Sequence, residues 1–194
     1  VWLLLLQTVV AWTAIVAQGM YFTSAALPAL GARLPGAALR APQLAMASQS
    51  AAAIAASRAL PSLNGRFGTK PVNDAALLGY CLFLVGVRHV SDFRVLILLM
   101  ACSGITCAAI DCNPFILCES MVDSDFDRAQ MIALLDNTLN VAQVVCSLSL
   151  GSALQALGGD HGQLFACVGA LCSAALLALL ASDGLAARAK AKGA

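Results

Sequence analysis

Long apolar runs separated by short polar turns dominate the pattern of this chain. Each run is continuous and lacks the alternation of polar and apolar residues that marks the strands of a membrane barrel. A run of about 20 apolar residues has the length of a helix that crosses a bilayer. The pattern therefore predicts an all-α membrane protein with six transmembrane helices, at about 1–27, 42–63, 72–87, 93–117, 129–154 and 163–180.

Two of these spans have a weaker pattern than the others. The span at 42–63 is rich in alanine and serine, and the span at 72–87 is short. The turns between spans are too short to hold a soluble domain. We expect residues 1–182 to form one transmembrane unit and residues 183–194 to form a cytoplasmic tail. Because the chain begins at Val1 inside an apolar run, we expect it to continue upstream.

Composition agrees with a membrane protein. Hydrophobic residues make up 60% of the chain and charged residues 11%, and the mean hydropathy is +0.85. Soluble domains carry roughly 25% charged residues. These values exclude a disordered protein and a soluble globular domain, and they make the lipid bilayer the expected surroundings. A net charge of +1 provides no strong field for nucleic acid, which we do not expect as a partner.

The distribution of basic residues predicts an orientation, since lysine and arginine favour the cytoplasmic side. Six spans place both ends of the segment on one side, which we expect to be the cytoplasm, either at the plasma membrane or at an internal membrane such as the vacuole. Seven basic residues then lie inside, namely Arg58, Arg66, Lys70, Arg128, Arg188, Lys190 and Lys192. Four lie outside, namely Arg33, Arg40, Arg88 and Arg94.

Cysteines and histidines indicate no metal, disulfide or cofactor. All eight cysteines lie within or beside apolar runs, where cysteine acts as a small packing residue, and no CxxC pair occurs. The chain lacks HExxH, GxSxG, GxGxxG and Walker A motifs. We therefore expect no enzyme. The alternative, a membrane hydrolase built on two buried aspartates, lacks any aspartyl-protease motif around them.

Asp111 is one of two acidic residues well inside the apolar spans. It precedes Asn113 and Pro114 late in the fourth span. A proline in a helix leaves the carbonyl of the fourth preceding residue without its usual donor, which predicts a polar break here. Such breaks line the solute path in transporters. The alternative is that Asp111 lies near the inner interface and reaches water or an arginine of a turn.

Asp136 is the second such residue, and it begins a polar stripe in the fifth span. Asp136, Asn140, Gln143 and Ser147 recur at helical spacing, so they share one helix face. A polar stripe is costly against lipid, so it must face protein or water. We therefore predict that Asn137, Asn140 and Gln143 line a cavity. We make the same prediction for Asn113, which lies beside Asp111 in the fourth span. The alternative is a set of hydrogen bonds between helices.

The second span carries small residues at four-residue spacing. Ala47, Ala51 and Ala55 would allow a close approach by a neighbouring helix. Arg40 at the outer end is a possible counter-charge for an anionic group, or an interfacial anchor.

Four stretches resemble one family. Arg66, Gly68 and Lys70 in NGRFGTKPV resemble the basic cytoplasmic loop of major facilitator transporters, although Gly65 and Thr69 replace an acidic and a basic residue. The stretches GAALRAPQLAMASQS, GITCAAIDCNPFILCES and ALLDNTLNVAQVV are similar to the eighth, tenth and eleventh helices of sucrose transporters. In the last stretch, Asp136 replaces an asparagine and Ala142 a proline of the family pattern.

The chain thus resembles the C-terminal six-helix half of a sucrose or glycoside proton symporter. The resemblance implies alternating access, a sugar site between two six-helix halves, and proton-coupled uptake. The implied partners are a sugar, a proton, and the N-terminal half or a second copy of this chain. Asp111 stands where the family has an uncharged residue. Asp111 and Asp136 are our candidates for the proton site, since a carboxylate shielded from water binds a proton more readily.

Two other functions remain open. The chain could be part of a major facilitator that carries another small solute, because the residues of the cavity decide which solute is bound. It could also be a truncated membrane module that binds other proteins without transporting.

Overall fold

The computed structural model describes residues 2–31, 40–122 and 124–193, and the side chains of 25–31, 125 and 183–193 are outside that description. The described chain is all-α. Its six helices are α1 (Trp2–Gly31), α2 (Ala41–Phe67), α3 (Thr69–Val87), α4 (Phe93–Met121), α5 (Asp125–Ala156) and α6 (His161–Gly193). Each predicted span coincides with one of them.

Five of the described helices are long and apolar enough to cross a membrane. They contribute the segments Trp2–Ser24, Thr69–Val87, Phe93–Met121, Phe126–Ala156 and His161–Ser182, and they indicate an integral membrane protein. The helix α2 is long enough, with 27 residues, but its alanines, serines and glutamines leave it less apolar than the others. The prediction of six helices is therefore confirmed, and five of them have the length and apolar character that a spanning helix needs.

Helix ends differ from the predicted turns. The expected basic turn over 64–71 is reduced to Gly68, whose φ of 88° separates α2 from α3. Glycine adopts this left-handed backbone without the strain of a Cβ atom. The expected tail does not start where α6 ends, because α6 extends to Gly193. The helix α4 continues through Pro114 without the predicted break. Arg33 and the side chains of Arg188, Lys190 and Lys192 are outside the described part of the chain.

The helices pack in a repeating pattern. The most extensive contacts join α2 to α4, α1 to α5, α3 to α6, α3 to α4, and α1 to α6. Exchanging α1–α3 with α4–α6 leaves this set of pairs unchanged. Since each unit has three helices, the second unit begins from the opposite side of the bundle.

Contacts along the helices give their directions. Ser48 Oγ donates to the Ile97 carbonyl at 3.1 Å, and Asn64 Nδ2 donates to Asn113 Oδ1 at 2.7 Å, so α2 and α4 are parallel. Cys146 Sγ lies 3.5 Å from the Thr13 carbonyl. Leu4 and Leu5 near the start of α1 belong to one apolar cluster with residues near the start of α5, so this pair is parallel as well.

Two of the described glycines lie where the backbone of one helix comes close to the backbone of another. A Cβ atom on Gly104 of α4 would lie 2.9 Å from the Gln49 carbonyl carbon and 3.1 Å from the Ala53 nitrogen of α2. A Cβ atom on Gly169 of α6 would lie 2.7 Å from the Cys81 carbonyl oxygen of α3. Both contacts are with backbone, which cannot rotate away as a side chain does. The body is thus held by backbone-to-backbone packing in two places.

Candidate functional site

A polar stripe follows one face of α5. Asp136, Asn140, Gln143 and Ser147 are all exposed on the surface of the six-helix body. They extend over about 16 Å at 1.5 Å per residue. The buried face of α5, which contains Leu135, Ala142 and Cys146, lies to one side of the stripe. Because the stripe points away from the described packing, its polar groups remain available to water, to a solute or to another chain.

Asn137 extends the stripe at its edge. Asn140 Nδ2 donates a hydrogen bond to Asn137 Oδ1 at 3.3 Å, and both residues are exposed. This bond stays within one helix, so it does not tie α5 to a neighbour. The alternative was that the stripe forms hydrogen bonds between helices. Within the described residues, no side chain of the stripe forms such a bond.

Asp111 lies on the exposed surface of α4. It follows Cys107 by four residues, so the two lie on the same side of α4. No salt bridge to Asp111 or Asp136 occurs among the described residues. The two predicted acidic residues thus lie on different helices, and α4 and α5 share few contacts.

A polar network connects four helices in the interior of the body and ends at Cys107. Tyr80 Oη on α3 donates a hydrogen bond to Gln18 Oε1 on α1. Gln18 Nε2 donates to Gln49 Oε1 on α2 at 2.9 Å. Gln49 Nε2 in turn lies 3.6 Å from Cys107 Sγ on α4. Gln18 and Tyr80 are almost fully buried, with 3% and 1% of their surface exposed. One amide side chain therefore joins three helices, and a second joins the fourth.

Asn113 lies in the interior, between α2 and α4. It is fully buried, and its Oδ1 accepts the hydrogen bond from Asn64 on α2. Asn113 Nδ2 and Asn64 Oδ1 have no partner among the described residues. In this structure Asn113 ties α2 to α4, and its predicted place at a substrate cavity stays a prediction.

The remaining predicted residues lie at the helix ends. Arg66 and Lys70 flank Gly68, with the Arg66 guanidinium carbon 5.3 Å from the Phe67 ring centroid and Lys70 Nζ 2.9 Å from Asp74 Oδ2. Arg40 precedes α2 at the opposite end, and its side chain is exposed. Arg40 is therefore remote from Arg66 and Lys70.

Sequence reasoning missed the network. Gln18 is one of several polar residues scattered through an apolar run, and its partners follow 31 and 62 positions later. No spacing within one helix reveals such a contact. The available signal was the cost of burying an amide in an apolar span, which requires a partner on another helix.

Comparison with known proteins gives no family. No family model, no curated protein and no solved structure matches the chain. The site is therefore interpreted from its own geometry. It offers amides, hydroxyls and carboxylates on exposed helix faces, which can hydrogen-bond a polar solute or exchange a proton.

Proposed function

We propose that this chain forms one six-helix half of a secondary transporter of the major facilitator type. The observation that carries the proposal is the exposed polar stripe of α5, which contains Asp136, Asn140 and Gln143. The helix α5 is long and apolar enough to cross a membrane. A polar stripe on such a helix is stable only against water or a polar partner. A solute path between this six-helix body and a second one would provide water and a polar solute along the stripe.

The packing pattern supports the same proposal. Three-helix repeats of inverted direction occur in each half of major facilitator transporters. Here, exchanging α1–α3 with α4–α6 preserves the set of helix pairs. The polar faces of α4 and α5 would then face the second half, which is either the N-terminal half or a second copy of the chain.

The proposed substrate is a sugar of the sucrose class, carried together with a proton. Amide side chains such as Asn140 and Gln143 provide both donors and acceptors, which suit hydroxyl groups of a sugar. Asp111 and Asp136 are the carboxylates that can take up and release a proton on the path. The sucrose assignment is supported by the sequence resemblance. The amides alone suit any small polar solute.

Transport by the intact protein tests the proposal. We expect Asp136→Asn or Asp111→Asn to reduce proton-driven sugar uptake into vesicles by about tenfold or more, because an ionisable side chain within a membrane-spanning helix usually carries function. Glu119→Gln is the matched control, since Glu119 is an exposed acid near the end of α4. The control should leave uptake unchanged. Normal proton-to-sugar coupling in both aspartate variants would contradict the proton assignment.

A panel of solutes separates the alternatives. Uptake of another small solute, with no sugar uptake, would support the proposal of a transporter and contradict the proposal that its substrate is a sugar. No uptake of any solute by the intact protein, despite correct insertion in the membrane, would favour the module that binds other proteins.

A further inference from the structure

A narrow apolar groove lies between α2, α3 and α4. Its cavity volume is about 240 Å³. Its walls include Leu60 and Leu63 of α2, Val72 and Ala76 of α3, and Ile105 of α4. The helices α2 and α3 share few contacts with each other, and the groove occupies the space between them. None of the residues of the predicted solute site line it.

The walls of the groove suit hydrocarbon. Its one polar side chain is Thr106, whose hydroxyl already donates to the Ser103 carbonyl at 2.8 Å. The groove is smaller than the range of roughly 300–1,000 Å³ that small-molecule sites occupy. A flexible acyl chain therefore fits better than a sugar or a rigid ring system. Leu63 and Ile105 on the rim are exposed, so a chain can enter from the surrounding lipid.

The charge at one end of the groove indicates which lipid. Leu63 on the wall is followed three residues later by Arg66, which places both on one side of α2. Arg66 is exposed. Lys70 begins the facing helix, although its charge is shared with Asp74. Basic residues at the membrane surface attract anionic head groups.

We propose that the groove binds one acyl chain of an anionic phospholipid, with the head group held at Arg66. The wall residues hold the chain by shape, and Arg66 selects the charge of the head group. The proposal requires that the groove between α2, α3 and α4 faces lipid, and α3 and α4 are long and apolar enough to cross a membrane. It is therefore independent of any transport function.

Photocrosslinking in vesicles tests this proposal. The intact protein is reconstituted with phosphatidylglycerol or phosphatidylcholine that carries a diazirine in the acyl chain, and the crosslinked peptides are mapped by mass spectrometry. We expect crosslinks at groove residues, with phosphatidylglycerol favoured. Arg66→Gln should reduce that preference about fivefold, which is the effect of about 1 kcal/mol per basic residue. Arg66→Lys should retain it.

A second pair of variants tests the groove itself. Ala75→Leu adds bulk at an exposed wall position, and it should reduce crosslinking of both lipids in the groove. Cys102→Leu is the matched control, because Cys102 is an exposed residue of another groove between α3 and α4. It should leave the crosslinks unchanged. Both variants introduce a leucine. A loss of crosslinking with Ala75→Leu but not with Cys102→Leu therefore shows that the lipid occupies this groove.

Three results would overturn the proposal. Equal crosslinking of both lipids in the groove would remove the role of Arg66. Crosslinks spread evenly over the lipid-facing helices would remove the site. Displacement of the lipid probe by cholesterol would show that a sterol is the occupant instead.

Discussion

Gly104→Ala is expected to reduce the free energy of unfolding by about 1–3 kcal/mol, which is the usual cost of overpacking a close-packed site. The added Cβ atom would meet the backbone of Gln49 and Ala53 on α2 at 2.9 and 3.1 Å. Because backbone atoms cannot rotate away, α2 and α4 must separate. That separation also weakens the Asn64–Asn113 hydrogen bond farther along the same interface. Denaturation in mixed detergent micelles measures the effect.

Gly151→Ala provides the control for this prediction. Gly151 lies inside α5, and a Cβ atom there meets no atom within 4 Å. Since alanine favours a helix over glycine by roughly 0.5–1 kcal/mol, this variant should be neutral or more stable. An equal loss of stability in the two variants would show that the close approach of α2 and α4 does not hold the fold.

Gln18→Met should destabilise the protein by about 1–3 kcal/mol. Methionine is close to glutamine in shape but leaves the buried Tyr80 hydroxyl without its acceptor, and an unpaired buried polar group carries a penalty of this size. Gln49 loses its hydrogen bonds to Gln18 at the same time. Denaturation in the same micelles provides the measurement.

A double-mutant cycle with Tyr80→Phe isolates the contact. The Tyr80 hydroxyl is absent from the double variant, so removal of Gln18 should cost less there than in the parent protein. Hydrogen bonds between membrane helices contribute about 0.6 kcal/mol on average and up to about 1.7 kcal/mol. We expect a coupling energy in that range. Strict additivity would contradict a direct interaction between the two side chains.

The six helices were predictable because apolar runs of sufficient length have few other structures available in a membrane. The ends of these helices were less predictable. The stretch Asn64–Pro71 contains two glycines and a proline, which predicts a turn, yet helix persists on both sides of Gly68. The helix α4 likewise continues through Pro114, because the missing hydrogen bond of one proline can be tolerated within a packed helix.

The candidate site was predictable where it depends on one helix. The spacing of Asp136, Asn140 and Gln143 determines a shared face, and the structure leaves that face exposed. Contacts between helices were less accessible. Ala47, Ala51 and Ala55 are exposed, while the close contact of α2 uses Gln49 and Ala53 against Gly104. Helical spacing identifies faces but does not identify their partners.

Cysteine labelling tests directly whether the polar face of α5 lines a water-filled path, as we propose. Gln143→Cys and Val145→Cys place thiols at similar depth, the first on the polar stripe and the second on an exposed apolar part of the helix surface. The eight native cysteines are first replaced, and a water-soluble methanethiosulfonate is added to the protein in membranes. We predict rapid labelling of Gln143→Cys and little labelling of Val145→Cys. Equal protection of both thiols would contradict the claim.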